Sequence, residues 1–312
     1  MKDEARAAEL SGPVAVTGAT GFIGRALCDR LLAHGIAVRA LVRRADIDLP
    51  DAVERIGGDL DDSLALDRLI ADCSLVVHCA GSVRGATRSA FDRVNVAGTR
   101  QLLARIGQRA PGTRIIHLSS LAAREPQLSD YAASKHAAEA LYLRGSPCRW
   151  TILRPTAVYG PGDRELLPLL RTMARGLAPV PAVADARVTL IHVADVIEAI
   201  FAAAHTPATI DGCFEISDAR SGGYRWDELA AAVAGLTHRR VRTLSVPVAL
   251  LRGLGRLNVN LARLTGRAPM LTPGKVRELT HPDWSCRTEA FVSMTGWQPR
   301  IDLEAGLDSV LH

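Results

Sequence analysis

Tyr131 and Lys135 stand four residues apart in "DYAASKHAAE", one short loop after Ser119 and Ser120. On a helix, residues four apart lie on one face. That spacing puts a phenol beside an ammonium. A phenol is a poor acid or base at neutral pH, because its unperturbed pKa is about 10. A nearby ammonium favours phenolate and draws that pKa toward the working range. A serine hydroxyl can hold a substrate oxygen against the phenol while a proton moves. The bland alternative is two polar residues on a wet helix. The chain has 4 Tyr, and Lys occurs only as Lys2, Lys135 and Lys275, so a chance YxxxK is uncommon.

Such a group needs elements that hold it. "TRIIHLSS" is a short apolar run, as a strand covered on both faces should be, and it ends at Ser119 and Ser120. "GPVAVTGA", "IAVRALVRR", "LVVHCAG" and "RWTILRP" read as further strands, with helical periodicity between them. That alternation predicts an α/β fold: a Rossmann-type doubly wound parallel sheet, which binds ligands at the carboxyl edge of its strands. Gly18, Gly21 and Gly24 in "TGATGFIG" lie between the first strand and the first helix. There the first glycine permits a tight turn, the second lets backbone approach a pyrophosphate, and the third lets helix pack on strand. Arg43 and Arg44 end the second strand, where Arg accommodates a 2′-phosphate and an acidic residue would bind a ribose hydroxyl. The competing reading is two solvated arginines. After Pro155 the alternation breaks down. The expected division is a flexible arm over 1–11, a dinucleotide-binding domain over 12–155 and a mainly helical, smaller C-terminal substrate lobe over 156–312.

The 312 residues suffice for a buried core, and 48% hydrophobic content is ordinary for a globular chain. No run of about 18 apolar residues predicts a spanning helix. "MKDEARAAEL" lacks a signal-peptide core, so the expected location is cytoplasmic. The six cysteines form no CxxC and the nine histidines no HExxH, so neither a disulfide framework nor a metal site is expected. The net charge of +5 comes from dispersed Arg without interleaved aromatics, which suits anionic small ligands better than nucleic acid.

Taken together, these motifs resemble the extended short-chain dehydrogenases/reductases, the group of NAD(P)-dependent epimerases/dehydratases and 3β-hydroxysteroid dehydrogenase-like enzymes. "TGATGFIG", "GGDLDD", "VVHCAG", "VNVAGTRQLL", "YAASK", "LRPTAVYGPGD" and "LIHVADV" carry the resemblance across nearly the whole chain. It implies that Tyr131 is the acid/base, that Lys135 lowers its pKa and binds the nicotinamide ribose, and that Ser120 orients the substrate oxygen, with Ser119 the second choice. Asn95 would be a structural or proton-relay residue. The implied dinucleotide contacts are Gly18, Thr20, Gly21, Phe22, Ile23, Gly24, Arg43, Arg44, Asp59, Leu60, Cys79, Ala80, Gly81, Ser119, Tyr131, Lys135, Pro155 and Val158. The implied activity is hydride transfer between NADP(H), favoured over NAD(H), and a ketone or secondary alcohol, in a homodimer. The alternatives are a nucleotide-sugar epimerase/dehydratase and a non-catalytic dinucleotide-binding accessory subunit. Only "LAAREPQLSD" separates Ser120 from Tyr131, shorter than the loop of the nucleotide-sugar enzymes, and Asp130 stands where many members have Pro.

Other features have mostly structural readings. His192 and Asp195 look like a catalytic pair, but Asp at a helix start more often bonds backbone N–H groups. Cys79 within an apolar strand reads as core. Arg154 at a strand end reads as paired within the protein. In "PVALLRGLGRLNVNLARLTGR", Leu250, Leu254, Leu257, Leu261 and Leu264 share one helical face, with Arg252, Arg256, Arg263 and Arg267 near the other. An ordinary lid helix with a solvated basic face is one reading. The other is a contact of 246–267 with anionic lipid, a coenzyme A phosphate or an acyl carrier protein, for a hydrophobic or acyl substrate. Gly253 and Gly255 weaken the case for one continuous helix.

Overall fold

Alternate residues of the central strands point to opposite faces of the sheet, and both faces meet apolar side chains. In β1 (Val14–Thr17), Val14 and Val16 enter one core and Ala15 the other. The computed structural model describes residues 12–44, 48–183, 186–265 and 268–311. The expected arm over 1–11 and Arg267 lie outside the described residues.

The chain continues through α1 (Phe22–Ala33), β2 (Val38–Val42), β3 (Glu54–Gly57), α2 (Ser63–Ile70), β4 (Leu75–His78) and α3 (Arg88–Asp92). A π-helical turn (Arg93–Gly98) leads to α4 (Thr99–Arg109), followed by β5 (Arg114–Leu118), α5 (Asp130–Leu143) and β6 (Arg149–Pro155). On α1, Gly24, Leu27, Cys28 and Leu31 are buried at helical spacing. Burying one such side chain contributes roughly 1.5–3 kcal/mol. Helix propensities differ by less than about 1 kcal/mol among ordinary residues, so packing decides where these helices sit. Leu66, Leu69, Leu102, Ile106 and Tyr142, from α2, α4 and α5, fill the opposite face.

Beyond β6 lie β7 (Ala157–Tyr159), α6 (Leu167–Ala174), β8 (Leu177–Pro181), β9 (Arg187–Val188), β10 (Leu190–His192), α7 (Val193–His205) and β11 (Gly212–Ile216). β11 pairs in parallel with β6, from Gly212 opposite Thr151 to Ile216 opposite Pro155. The sheet therefore has seven strands in the order β3-β2-β1-β4-β5-β6-β11. The α/β, doubly wound, parallel architecture is as expected. The division near residue 155 is approximate, because the lobes share a core. α7 and β11 return to the first lobe, and Ile197, Ile200, Phe214, Phe291 and Trp297 share a core with β1.

The remaining elements are β12 (Tyr224–Arg225), α8 (Trp226–Thr237), β13 (Arg242–Val246), α9 (Val248–Thr265), α10 (Pro273–Leu279), α11 (Glu289–Thr295) and α12 (Leu303–Leu311). Tyr159, Met173, Leu229, Val233 and Leu307 build a third core between α6, α8 and α12. α9 is continuous through both of its glycines. A Cβ on Gly255 would lie 2.9 Å from the Thr272 carbonyl carbon, so this glycine lets α9 pack on the backbone that starts α10.

Candidate active site

A cavity of about 1440 Å³ runs along the carboxyl edge of the sheet and under the second lobe. Pockets for single drug-sized ligands span roughly 300–1,000 Å³, so this one has room for more than one such group. Gly18, Thr20, Gly21, Phe22, Ile23, Gly24, Cys79, Gly81, Ser119, Ser120, Tyr131, Lys135, Pro155 and Val158 all lie in its wall.

The glycine turn is built by contacts that tolerate no side chain. Gly18 has φ +71°, and a Cβ there would lie 2.6 Å from the Ala80 nitrogen. A Cβ on Gly24 would lie 2.2 Å from the Gly18 carbonyl oxygen. Gly21 differs: its φ is −81°, it is exposed, and a Cβ would meet only the Gly18 oxygen, at 3.2 Å. Gly21 thus leaves open space on the cavity side of its backbone. It also caps α1, whose first turn has no acidic residue and whose cap has no side-chain bond. The leading N–H groups are left for an anion, which fits a pyrophosphate. Thr156, a wall residue that sequence reasoning missed, has a buried hydroxyl without a hydrogen-bond partner among the described residues.

α5 carries Tyr131, Lys135 and Glu139 at successive i+4 positions. Burial pushes the Tyr131 phenol above its ordinary pKa. A hydrogen bond with Ser120 pulls it back, Glu278 pushes it up again, and Lys275 pulls it down. Lys135 donates to the Leu118 carbonyl oxygen at 2.7 Å. Burial brings its ammonium down to about 8, against the opposing pull of Glu139. Lys275 is a further group acting on the phenol that sequence reasoning missed, although lysine's rarity in this chain is a usable signal for it.

The two serines separate by geometry. Ser119 is buried and donates to Glu139 at 2.5 Å, and Arg154 grips the same carboxylate at 2.9 and 2.5 Å. Its hydroxyl proton is therefore committed, and Arg154 is an internal partner. Ser120 faces the cavity beside Tyr131 and accepts from the Ala122 N–H at 3.2 Å.

Of the two roles open to Asn95, its hydrogen bonds fit the structural one. It lies behind the wall, 1% exposed, on the π-helical turn. Its Oδ1 accepts from the Ser82 N–H at 2.7 Å, and its Nδ2 donates to Ser134 Oγ at 2.8 Å. Ser134 donates in turn to the Tyr131 carbonyl oxygen at 2.7 Å. Asn95 is thus a positioning residue tying the loop after β4 to α5. Thr17, the neutral His78 and Thr99 continue this buried chain, and burial holds His78 down to about 3.

Other expected contacts lie outside the cavity wall. Arg43 and Arg44 are exposed just after β2, and Asp59 Oδ1 accepts from the Asp61 N–H. Leu60 packs against Gly98, and Ala80 backs the glycine turn. Cys79, read as core, follows β4 into the cavity wall, and burial pushes its thiol up to about 12. His192 caps α7 through the Ala194 N–H, while Asp195 accepts from Arg300 and Ile301 backbone N–H groups at 2.9 and 3.1 Å. Both are structural.

The second lobe reaches α5 directly. Ser129 caps α5 by accepting from the Ala132 N–H at 2.9 Å and donates to Glu278 on α10. Lys275 donates to the other Glu278 oxygen at 3.0 Å. A Cβ on Gly274 would lie 2.8 Å from Ser129 Cβ.

The sequence pattern of the NAD dependent epimerase/dehydratase family matches residues 14–216. The ceramide reductase of Caulobacter vibrioides is 41% identical over 286 residues, covering 89% of this chain and 87% of that protein. A 4-hydroxy-2-methyl-3-oxo-4-farnesyl-3,4-dihydroquinoline-1-oxide ketoreductase of Stigmatella aurantiaca is 33% identical over 179 residues, 50% of this chain and 53% of that protein. Among solved structures, MoeE5 in complex with UDP-glucuronic acid and NAD superposes with a TM-score of 0.72 at 26% identity, covering 96% and 97% of the two chains.

Proposed function

The chain belongs to the NAD-dependent epimerase/dehydratase family, as an NAD(P)-dependent oxidoreductase of the extended short-chain type, and from that premise we propose that it reduces the ketone of a lipophilic substrate with NADPH. The observation that carries the reading is the 41% identity to a ceramide reductase across 89% of this chain. The farnesyl-quinoline ketoreductase supports the same substrate class. The glycine turn and the start of α1 would hold the dinucleotide, which would supply the hydride for the carbonyl carbon. Ser120 holds the carbonyl oxygen, and Tyr131 gives it the proton that makes the alcohol. Burial raises the phenol pKa, and the Ser120 hydroxyl and the Lys275 ammonium draw it back toward the range in which it can give up that proton. Asn95, through Ser134, fixes the turn of α5 that aims Tyr131.

The test is a ketone analogue of a ceramide in detergent micelles, with NADPH oxidation and alcohol formation measured together. One alcohol per NADPH is the expected stoichiometry. Conversion of UDP-glucose to an isomer without net coenzyme consumption, and no ketone reduction, would replace this reading with the epimerase one.

The coenzyme preference rests on Arg43 and Arg44. A charge-assisted contact with the 2′-phosphate is worth roughly 1.5–3 kcal/mol, so NADPH is expected to bind about tenfold or more tighter than NADH. Changing both to Ala should erase most of that ratio and spare NADH affinity. Equal dissociation constants for the two coenzymes in the wild type would move the assignment to NAD.

Lys135 is charged below its pKa of about 8 and neutral above it. kcat/KM for ketone reduction is therefore expected to fall as pH rises through that value. Lys135→Arg, whose guanidinium stays charged, should be slower but should not show that fall. A wild-type profile flat across the same range contradicts a role for the ammonium.

A further inference from the structure

The five leucines of α9 point away from the protein. Leu250, Leu254, Leu257, Leu261 and Leu264 are 54%, 43%, 53%, 48% and 85% exposed, in a row along an 18-residue helix. The side that packs on α10 is a different one, where Gly255 and Ala262 are buried. α9 carries Arg252, Arg256 and Arg263 and no acidic residue. At 1.5 Å per residue it is about 27 Å long, close to the thickness of a bilayer core. It is nonetheless not apolar enough to cross one. A helix with one leucine face, one arginine face and modest overall hydrophobicity lies in the plane of a membrane surface.

We infer that α9 docks the protein on an anionic lipid surface, leucines inward, and that the cavity opens beside this contact. Arg256, Val259 and Arg263 line the cavity from α9, and Met270, five residues past its end, is both in the wall and 45% exposed. The leucine stripe and the cavity lining thus occupy different faces of the same helix. A lipophilic ketone leaving the bilayer beside α9 has a short path to Tyr131. That last point rests on the reductase reading, whereas the docking surface does not. Two other occupants fit less well. A second copy packed stripe to stripe would bring arginine-bearing helices together with no carboxylate on either to pair them. An acidic carrier protein would be drawn to the arginine face and leave the leucines in water.

The test is sedimentation of the full chain with phosphatidylcholine vesicles, with and without phosphatidylglycerol. Binding to the anionic vesicles, reduced by salt, is expected. Leu254→Glu/Leu257→Glu/Leu261→Glu should weaken it about tenfold or more while circular dichroism and NADPH titration stay unchanged. Should that variant fail to fold, Leu257→Trp is read instead: its emission should shift to the blue on anionic vesicles and be quenched by brominated lipid. No vesicle binding by the wild type, or no quenching, overturns the inference. So does a wild-type dimer that ignores vesicles and becomes monomeric in the triple variant, or an acyl carrier protein that binds the wild type alone. Vesicle binding without any ketone turnover would sink the reductase reading and leave the docking surface standing.

Discussion

Tyr131→Phe is expected to lower kcat for ketone reduction by about 100- to 10,000-fold, the usual contribution of a general acid. Coenzyme affinity should stay near the wild-type value. The substitution removes one oxygen and leaves the ring, whose neighbour Phe91 lies 6.0 Å away between centroids. Nothing in the backbone depends on that oxygen: Ser134 bonds the Tyr131 carbonyl, and Ser129 caps the helix. Loss of rate therefore reads the proton and not the fold. Stopped-flow reduction of the ketone, with a parallel NADPH titration, separates the two. Activity within about twofold of wild type would take the phenol out of the mechanism.

Gly21→Val should produce a folded protein that no longer binds the dinucleotide. The three glycines of the turn respond differently. Side chains at Gly18 or Gly24 collide with backbone inside the protein, so those variants report on folding. At Gly21 the backbone is extended, and the nearest obstacle is 3.2 Å from a Cβ. A branched side chain there occupies space reserved for a pyrophosphate. Affinity should fall by about 100-fold or more, equivalent to roughly 2.7 kcal/mol. The measurement is fluorescence titration with NADPH on protein whose melting curve is cooperative. Wild-type affinity in that variant would refute the assignment of the turn.

These two sites could be read in the sequence because their chemistry is local. A turn needs glycines at fixed spacing, and a phenol and an ammonium on one helical face need only a period of 3.6. Glu139 is equally legible as the next i+4 step after Lys135, but its role is not, because its partners come from other elements. Arg154 arrives from β6. The pairing of β11 with β6, and of Ser129 with Glu278, 149 residues apart, depends on where the chain returns, which no local pattern encodes. The leucines of α9 show a related gap. Periodicity identifies that a helix has an apolar face, but only the packing of Gly255 against Thr272 and Pro273 shows that this face looks outward.

The cap of α5 also bears on modularity. In a two-lobed enzyme, new substrate preferences are most easily acquired by exchanging the substrate lobe while the coenzyme lobe is kept. Here the hydroxyl that starts the catalytic helix spends its acceptor on Ala132 and its donor on Glu278, a residue of the lobe to be exchanged. Gly274 packs against the same serine so closely that no other residue fits without displacement. A graft lacking the Gly274–Glu278 stretch would leave Ser129 without its acceptor and α5 without its brace, two residues from the phenol. Recombination in this architecture is therefore constrained to breakpoints that carry α10 together with the start of α5, or replace neither.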